Sequence, residues 1–347
     1  MLYTKCVVVF ILIANIVVTT GSIYLENDDY NPEYYSYEDF TKIISELSEN
    51  NSDIFSYESI GETYEGRDIW LVKISDNVEI NENEPEVLFT GGMHGNEKIG
   101  YQVVIQSIIS ITENYTSIYV NDSFTNRVRN IVNNTELFFV PMVNPDGCQA
   151  CTRKNREPNR CFLGKTLFRG VDINRNFEYK WKEFNRHPIK NFILSKYTVI
   201  TRPFFDFWVI NSGSGNGTYR GPHPFSENET IALKNFVENH NIISGIDYHS
   251  QGKKILYPWG WTDESADNES DMFSIAENMS GINGFEVMQM CQMYYIFGCF
   301  NDWTYANFNT YHFTIELDSV ESTPIKESCE EQLMVNLYLA ERTISMA

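Results

Sequence analysis

The sequence predicts an α/β fold: a mixed, largely parallel, twisted sheet covered by helices on both faces, in a single domain. Three observations carry this expectation. Strand-like and helix-like segments alternate along the chain. The strand-like segments are nearly continuous in apolar residues, as from Val87 to Thr90 and from Leu137 to Val143, which suits strands buried on both faces. No internal repeat and no Pro/Gly/Ser-rich linker divides the 347 residues. With 42% hydrophobic and 21% charged residues, the composition excludes a mostly disordered chain.

The elements follow in order. In residues 1–21, Lys5 is the only charge, and an apolar run from Cys6 to Val18 is broken only by Asn15. The small residues Thr19, Thr20, Gly21 and Ser22 come next. This is the order of a secretory signal cut near Gly21, and the run is short of the roughly 20 residues a spanning helix needs. Residues 22–36 read as an acidic, Tyr-rich lead-in, and residues 37–347 as the folded body, too closely preceded for a large pro-domain. Phe40, Ile43, Ile44 and Leu47 share one helical face. Asp68 to Ile74 and Val87 to Thr90 are strands, and Glu97 to Ile111 a helix. The strand from Leu137 to Val143 ends in the turn signal Asn144-Pro145-Asp146-Gly147. Ser226-Glu227-Asn228-Glu229 has the form of a capping box opening a helix to about His240. Ile242 to Tyr248 and His312 to Leu317 are strands, and the last helix runs from about Glu330 to Ile344.

Asp and Glu number 47 against 26 Lys and Arg, for a formal charge of −21. Such a surface repels phosphate and anionic lipid, which argues against nucleic acid and membrane partners. Without the signal segment six cysteines remain: Cys148, Cys151, Cys161, Cys291, Cys299 and Cys329. An even number in an exported chain predicts disulfides. Asn-x-Ser/Thr sequons from Asn50 to Asn278 are compatible with the same compartment.

In α/β folds ligands sit beyond the carboxyl ends of strands. After Val87 to Thr90 comes Gly91-Gly92-Met93-His94-Gly95-Asn96-Glu97, where His94 and Glu97 stand at i and i+3 and can converge on a zinc ion. A second strand runs through Asp247 into His249, a third protein ligand, and a His₂Glu set with one open position is the pattern of a catalytic zinc. A third strand buries Glu316 among apolar residues, where an unpaired carboxylate is expensive and a general base has a purpose. Around Asp172, Asn174 and Arg175 lies a dense group of donors. A guanidinium with an amide suits a carboxylate ligand, and Asp172 suits the free N–H of a zinc-bound histidine.

These pieces together resemble the zinc metallocarboxypeptidases of the funnelin type, peptidase family M14. The matching stretches are His94-Gly95-Asn96-Glu97, Asn144 to Gly147, Arg153-Lys154-Asn155-Arg156, Gly170 to Phe177, Tyr219-Arg220-Gly221-Pro222, His249 and Phe313 to Leu317. They lie in family order over about residues 60 to 320. The resemblance implies a zinc carboxypeptidase-like α/β/α fold and one Zn²⁺ per chain, held by His94, Glu97 and His249. It implies Glu316 as general base and acid and Arg153 as the group that polarises the scissile carbonyl. Asn174 and Arg175 would grip the C-terminal carboxylate of a peptide or protein substrate, and Asp172 would orient His94. Reading back from Glu316 without a gap puts Tyr294, with Tyr295 beside it, at the family's mobile tyrosine. The same reading puts Asn301 at the base of the side-chain pocket.

Asn96 replaces the arginine of pancreatic-type members, whereas Tyr219 to Ser226 is similar to the digestive and bacterial branch, so subfamily features are mixed. A neutral Asn301 favours apolar or neutral C-terminal residues, while Asp247, two before His249, would favour Lys or Arg if it faced the pocket. The balance leans to neutral. A bridge between Cys291 and Cys299 would close a loop carrying Tyr294, with a second expected within Cys148, Cys151 and Cys161. Two other readings stay open: a same-fold amidohydrolase or deacylase of N-acyl amino acids, and a non-catalytic zinc- or peptide-binding relative.

Overall fold

A computed structural model of the chain describes residues 34–119, 122–156, 161–162, 165–166, 170–183, 218–319 and 322–347. The expected signal segment and the side chain of Cys161 lie outside the described residues. One mixed sheet dominates. Its strands are β1 (Phe55–Glu62), β2 (Asp68–Ile74), β3 (Glu86–Gly91), β4 (Glu136–Val140), β5 (Ile242–Ser250), β6 (Lys254–Tyr257), β7 (Glu286–Gln289) and β8 (Tyr311–Leu317). In space they run β1-β2-β4-β3-β5-β8-β6-β7. The four central strands β4, β3, β5 and β8 are mutually parallel, β1 and β2 form an antiparallel margin, and β6 pairs antiparallel with β8.

The helices are α1 (Tyr37–Asn50), α2 (Lys98–Thr116), α3 (Ser123–Val132), α4 (Pro145–Ala150), α5 (Asn228–Glu238), α6 (Glu269–Asn283), α7 (Met290–Met293), α8 (Phe300–Phe308) and α9 (Ile325–Ile344). Strand alternation divides the core in two. Val87, Phe89, Leu137, Phe139, Ile246, Tyr248, Phe313 and Ile315 pack with α1, α2, α3, α6 and α9 on one face. Leu88, Phe138 and Val140 pack with α5 and α8 on the other. Each such fully buried side chain contributes roughly 1.5–3 kcal/mol. Asp247, His249, Thr314 and Glu316 fall between those apolar positions and so share the second face.

Several boundaries differ from the sequence expectation. The strand expected through Val143 stops at Val140, because Pro141 has no N–H for the ladder. Asn144 to Gly147 opens a short helix instead of a plain turn. Asn144 is its N-cap and accepts from Gly147 N at 2.8 Å, and Pro145 takes the first position, where a missing N–H does no harm. The capping box at Ser226 does not form. Ser226 Oγ donates to Glu227 Oε1, Glu227 N donates to Asn176 Oδ1, and α5 begins at Asn228. A capping box forms at Ser36 and Asp39, ahead of α1. Helix α2 runs on to Thr116, and α9 starts at Ile325, directly after Pro324. Strands β1, β6 and β7 and helices α3, α6 and α8 carry no sequence signal strong enough to mark them.

Among the described residues the expected disulfides are absent. Cys148, Cys151, Cys299 and Cys329 carry no bridge. Cys148 is buried and its thiol faces Gly92 O at 3.6 Å, whereas Cys151 is exposed at the left-handed end of α4. Cys299 is fully buried at the start of α8 with its thiol against Asp302, so no bond links it to Cys291.

Candidate metal centre

Two parallel strand ends and one turn build the site. Strand β3 ends at Gly91, and residues 92–97 turn sharply into α2, with Gly92 at φ +61° and Glu97 N donating to His94 O at 3.1 Å. The turn lies flat on α4: a Cβ at Gly95 would stand 1.9 Å from the Gly147 carbonyl carbon. Strand β5 delivers His249 and strand β8 delivers Glu316, directly paired in the parallel register.

His94 Nδ1 lies 2.8 Å from Glu97 Oε1, and His249 Nδ1 lies 2.7 Å from Glu97 Oε2. One ligand atom from each of the three side chains falls within 4.8 Å of the others, and all three residues are buried. The far nitrogens are committed. His94 Nε2 meets Asp172 Oδ1 at 3.0 Å, and His249 Nε2 meets Asp247 Oδ2 at 2.8 Å. Each Nε2–H therefore donates to a carboxylate, which turns each Nδ1 toward Glu97. Each Nδ1 meets an oxygen of Glu97, so a cation, a proton or a metal ion, belongs between them. Burial disfavours a charged His249, yet Asp247 and Glu97 outweigh it and hold its pKa well above the ordinary value. Burial likewise works against an ionised Glu97, but His94 and His249 keep it far below the carboxylate range. With a metal ion in place of the proton, two imidazoles and one carboxylate fit Zn²⁺, a borderline-soft ion that accepts N and O donors.

Around this centre the other expected residues gather. Arg153 Nε donates to Asp172 Oδ2 at 2.9 Å, and its NH1 lies 3.4 Å from Glu97 Oε1. Asp172 thus holds His94 and Arg153 at once. Burial opposes its charge, and Arg153, His94 and Arg175 overcome that opposition. Asn174 lies beside His249, with Nδ2 3.1 Å from Nε2, while its Oδ1 accepts from Phe300 N at 2.9 Å. Arg175 is buried, donates from NH1 to Asn174 O at 2.7 Å, and reaches Tyr294 Oη at 3.4 Å. Its Nε is buried without an acceptor, and it forms no ion pair among the described residues. Glu316 lies beside the same cluster, its carboxyl pushed up to about 7 by burial and by Glu97, against the pull of His249.

The pocket residues require a correction. Asp247 is fully buried, and both its oxygens are taken, one by His249 Nε2 and one by Thr90 Oγ1 at 2.8 Å. It is held by a histidine and a threonine and is fully buried, which keeps its carboxylate from a basic substrate side chain. Asn301 donates from Nδ2 to Thr314 Oγ1 at 2.7 Å, and its buried Oδ1 accepts nothing among the described residues. Sequence reasoning passed over two neighbours. Asp302 accepts from Gly260 N and Trp261 N, and burial pushes its carboxyl up to about 7. Asn155 ties the Arg153 loop down: its Oδ1 accepts from Val171 N, and its Nδ2 contacts Glu227 and Glu229. Its place in the Arg-Lys-Asn-Arg stretch was the available signal. His312 is a structural histidine, with Nδ1 on Thr304.

A family model described as zinc carboxypeptidase matches residues 40–335. The zinc carboxypeptidase of Saccharothrix mutabilis subsp. capreolus is 28% identical over 314 residues, covering 85% of this chain and 65% of that protein. The chain thus spans just under two thirds of that relative's length. Carboxypeptidase A1 of Rattus norvegicus is 25% identical over 338 residues, covering 92% of this chain and 73% of that protein. The structure of thrombin activatable fibrinolysis inhibitor superposes with a TM-score of 0.73 at 21% identity, covering 91% of this chain and 75% of that one. Carboxypeptidase A from Helicoverpa armigera gives 0.71 at 20% identity, covering 91% and 74%. These likenesses concern the fold, a mixed α/β sheet flanked by helices. The sequence match spans both ends of the ligand set, from the turn after β3 to the strand that carries Glu316, and the chain belongs to the zinc carboxypeptidase family.

Proposed function

We propose that this protein is a zinc-dependent metallocarboxypeptidase that hydrolyses the last peptide bond of a substrate and releases single C-terminal amino acids. The observation that carries the reading is Arg175, a buried guanidinium that makes no direct ion pair among the described residues and has an unpaired Nε, placed beside Asn174 and Tyr294. A buried cation is costly without an anion, and the carboxylate of a chain end supplies one in bidentate form. Only a terminal residue carries that group, so the same contact makes the enzyme an exopeptidase.

His94, Glu97 and His249 would hold the zinc, which when bound acts as a Lewis acid and makes water more acidic. Glu316 takes the proton of the attacking water and returns it to the leaving amine, the two transfers a buried carboxylate beside the reacting bond can make. Arg153, fixed by Asp172, donates to the carbonyl oxygen as it gains charge. Asn174, Arg175 and Tyr294 orient the terminal carboxylate. With Asp247 committed elsewhere, the neutral Asn301 supports a preference for apolar or neutral C-terminal residues. Export through the secretory pathway is part of the proposal and rests on the Cys6 to Val18 run. Among the described residues no helix is long and apolar enough to cross a membrane.

The test is release of free amino acids from N-blocked dipeptides ending in Phe, Leu, Asn, Lys and Arg. Activity should vanish with a chelator and return with Zn²⁺. Arg175→Ala should raise KM for free-carboxylate substrates by at least about tenfold and leave C-terminal amides little changed. Equal effects on acid and amide would refute the carboxylate assignment. Cleavage of N-acyl amino acids without cleavage of dipeptides would favour a deacylase.

A further inference from the structure

Arg153 lies outside any helix or strand, in the stretch after α4, yet its NH1 reaches to 3.4 Å from Glu97 Oε1. No regular backbone ladder holds it there. The segment that carries it, residues 152–156, runs against a second irregular segment, residues 170–172, which carries Asp172. Asn155 joins the two. Its N–H donates to Val171 O at 3.1 Å, and its Oδ1 accepts from Val171 N at 2.8 Å. The segments touch closely: a Cβ at Gly170 would stand 1.9 Å from Asn155 O. Arg153 stands two residues before this junction, and Asp172 directly follows Val171. Arg153 Nε donates to Asp172 Oδ2 at 2.9 Å. Junction and ion pair close a ring, so the place of Asn155 sets the place of the guanidinium.

The amide is held from its other end as well. Asn155 Nδ2 donates to Glu227 Oε2 at 2.6 Å and to Glu229 Oε2 at 3.1 Å, at the start of α5. All three side chains are buried. Glu227 is fixed in turn: Ser226 Oγ donates to its Oε1 at 2.6 Å, and its N–H donates to Asn176 Oδ1 at 3.3 Å. Burying two carboxylates side by side is expensive, and what the two meet together is this one amide group. Asparagine suits the place by its chemistry. Its oxygen accepts from one segment while its NH₂ donates to two carboxylates. Aspartate has no N–H and would add a third negative charge, and alanine reaches neither partner.

We infer that Asn155, anchored by Glu227 and Glu229, is a positioning residue for the hydrolysis: it sets Arg153 against Asp172 so that the guanidinium meets the carbonyl oxygen as that oxygen gains charge. Asn155 acts through Arg153 and touches no reacting atom itself. Its effect falls on the transition state, because the contact it positions is strongest there. Displacing such a group by about 1 Å costs on the order of 10²-fold in rate. The inference rests on the role given to Arg153 in the proposed function.

The test uses the full-length, zinc-loaded enzyme and an N-blocked dipeptide ending in Phe. Asn155→Ala should lower kcat by about tenfold or more, with KM little changed and zinc content kept. Binding of a phosphonate analogue of the tetrahedral intermediate should weaken in step with kcat/KM. In the Arg153→Ala background the same change should cost less than about twofold, because the guanidinium it positions is gone. Glu227 separates positioning from packing. Glu227→Ala should also lower kcat, whereas Glu227→Gln keeps an acceptor for Asn155 and should recover most of the loss. Equal losses from Asn155→Ala with and without Arg153, a loss confined to KM, or Glu227→Gln no better than Glu227→Ala would overturn the assignment. If Asn155→Ala fails to fold, the two Glu227 variants, each with and without Arg153, decide. Full turnover by Arg153→Ala alone would remove Arg153 from the reaction and this inference with it, a result that single variant reveals independently of Asn155.

Discussion

Asp172 and Asp247 do the same work for two histidines, yet only Asp172 was legible as such. Asp172 sits in a stretch whose order suggested a partner for a zinc-bound imidazole. Asp247 stands two residues before His249, and strand periodicity places both side chains on one face. Periodicity does not say which oxygens are already engaged, and the competing donor, Thr90, lies 157 residues away on the neighbouring strand. The ligand set itself was readable because i, i+3 spacing and a strand-end histidine constrain direction as well as residue type. Glu316 is the sharpest single-residue test. Glu316→Gln keeps the shape and removes the proton acceptor, so kcat should fall by roughly 10²–10⁴ while zinc content and KM stay near wild type. Zinc analysis beside steady-state kinetics checks this. His249→Ala should instead lose metal and activity together, and a variant with full zinc and normal turnover would remove it from the ligand set.

At the scale of elements, the turn after β3 and the short helix α4 act as one unit. Gly95 permits their contact because it has no side chain. Gly95→Ala would force a methyl into the Gly147 carbonyl, and overpacking of this kind costs about 1–3 kcal/mol. Because the displaced turn holds two ligands, zinc affinity should fall with stability, measurable by competition with a chromophoric chelator. Helix α4 also shows where sequence reasoning stopped short. Asn-Pro-Asp-Gly is a turn signal by composition, but Pro at the first helical position and Asn at the cap make it equally a helix start. What decides is the packing of the next residues, Cys148 above all, into the space beside Gly92.

The stability of the whole molecule should depend on pH through buried carboxyls outside the reacting centre. Glu229, in the first turn of α5, is 1% exposed, its Oε1 has no donor among the described residues, and burial pushes its carboxyl up to about 7. A carboxyl raised on folding binds its proton more tightly in the folded state. Its contribution is complete below about 4.5, the unfolded value, and is lost as pH rises through about 7. Glu229→Gln cannot ionise and should flatten this limb. Between pH 5 and pH 8 the wild type should lose up to about 3 kcal/mol more than the variant in urea unfolding. Parallel losses in both proteins would place the titration on other groups. The acidic balance of the chain, −21 overall, adds self-repulsion that salt screens, so both proteins should gain stability with NaCl.

The pairing of Glu316 with His249 on adjacent parallel strands has a consequence for how this gene tolerates change. Deleting one codon between Tyr311 and Glu316 would bring Leu317 to the place of Glu316 and turn the strand beyond the deletion inside out, with its apolar residues toward the metal and its polar ones toward α2 and α9. The connections between elements face no such penalty, since doubling the length of a flexible loop costs only about 0.6 kcal/mol. Length variation should therefore accumulate in the connections and be purged from β3, β5 and β8. A library of single-codon insertions and deletions, sorted for hydrolysis, should show silent gaps at those strands and survivors in the connections.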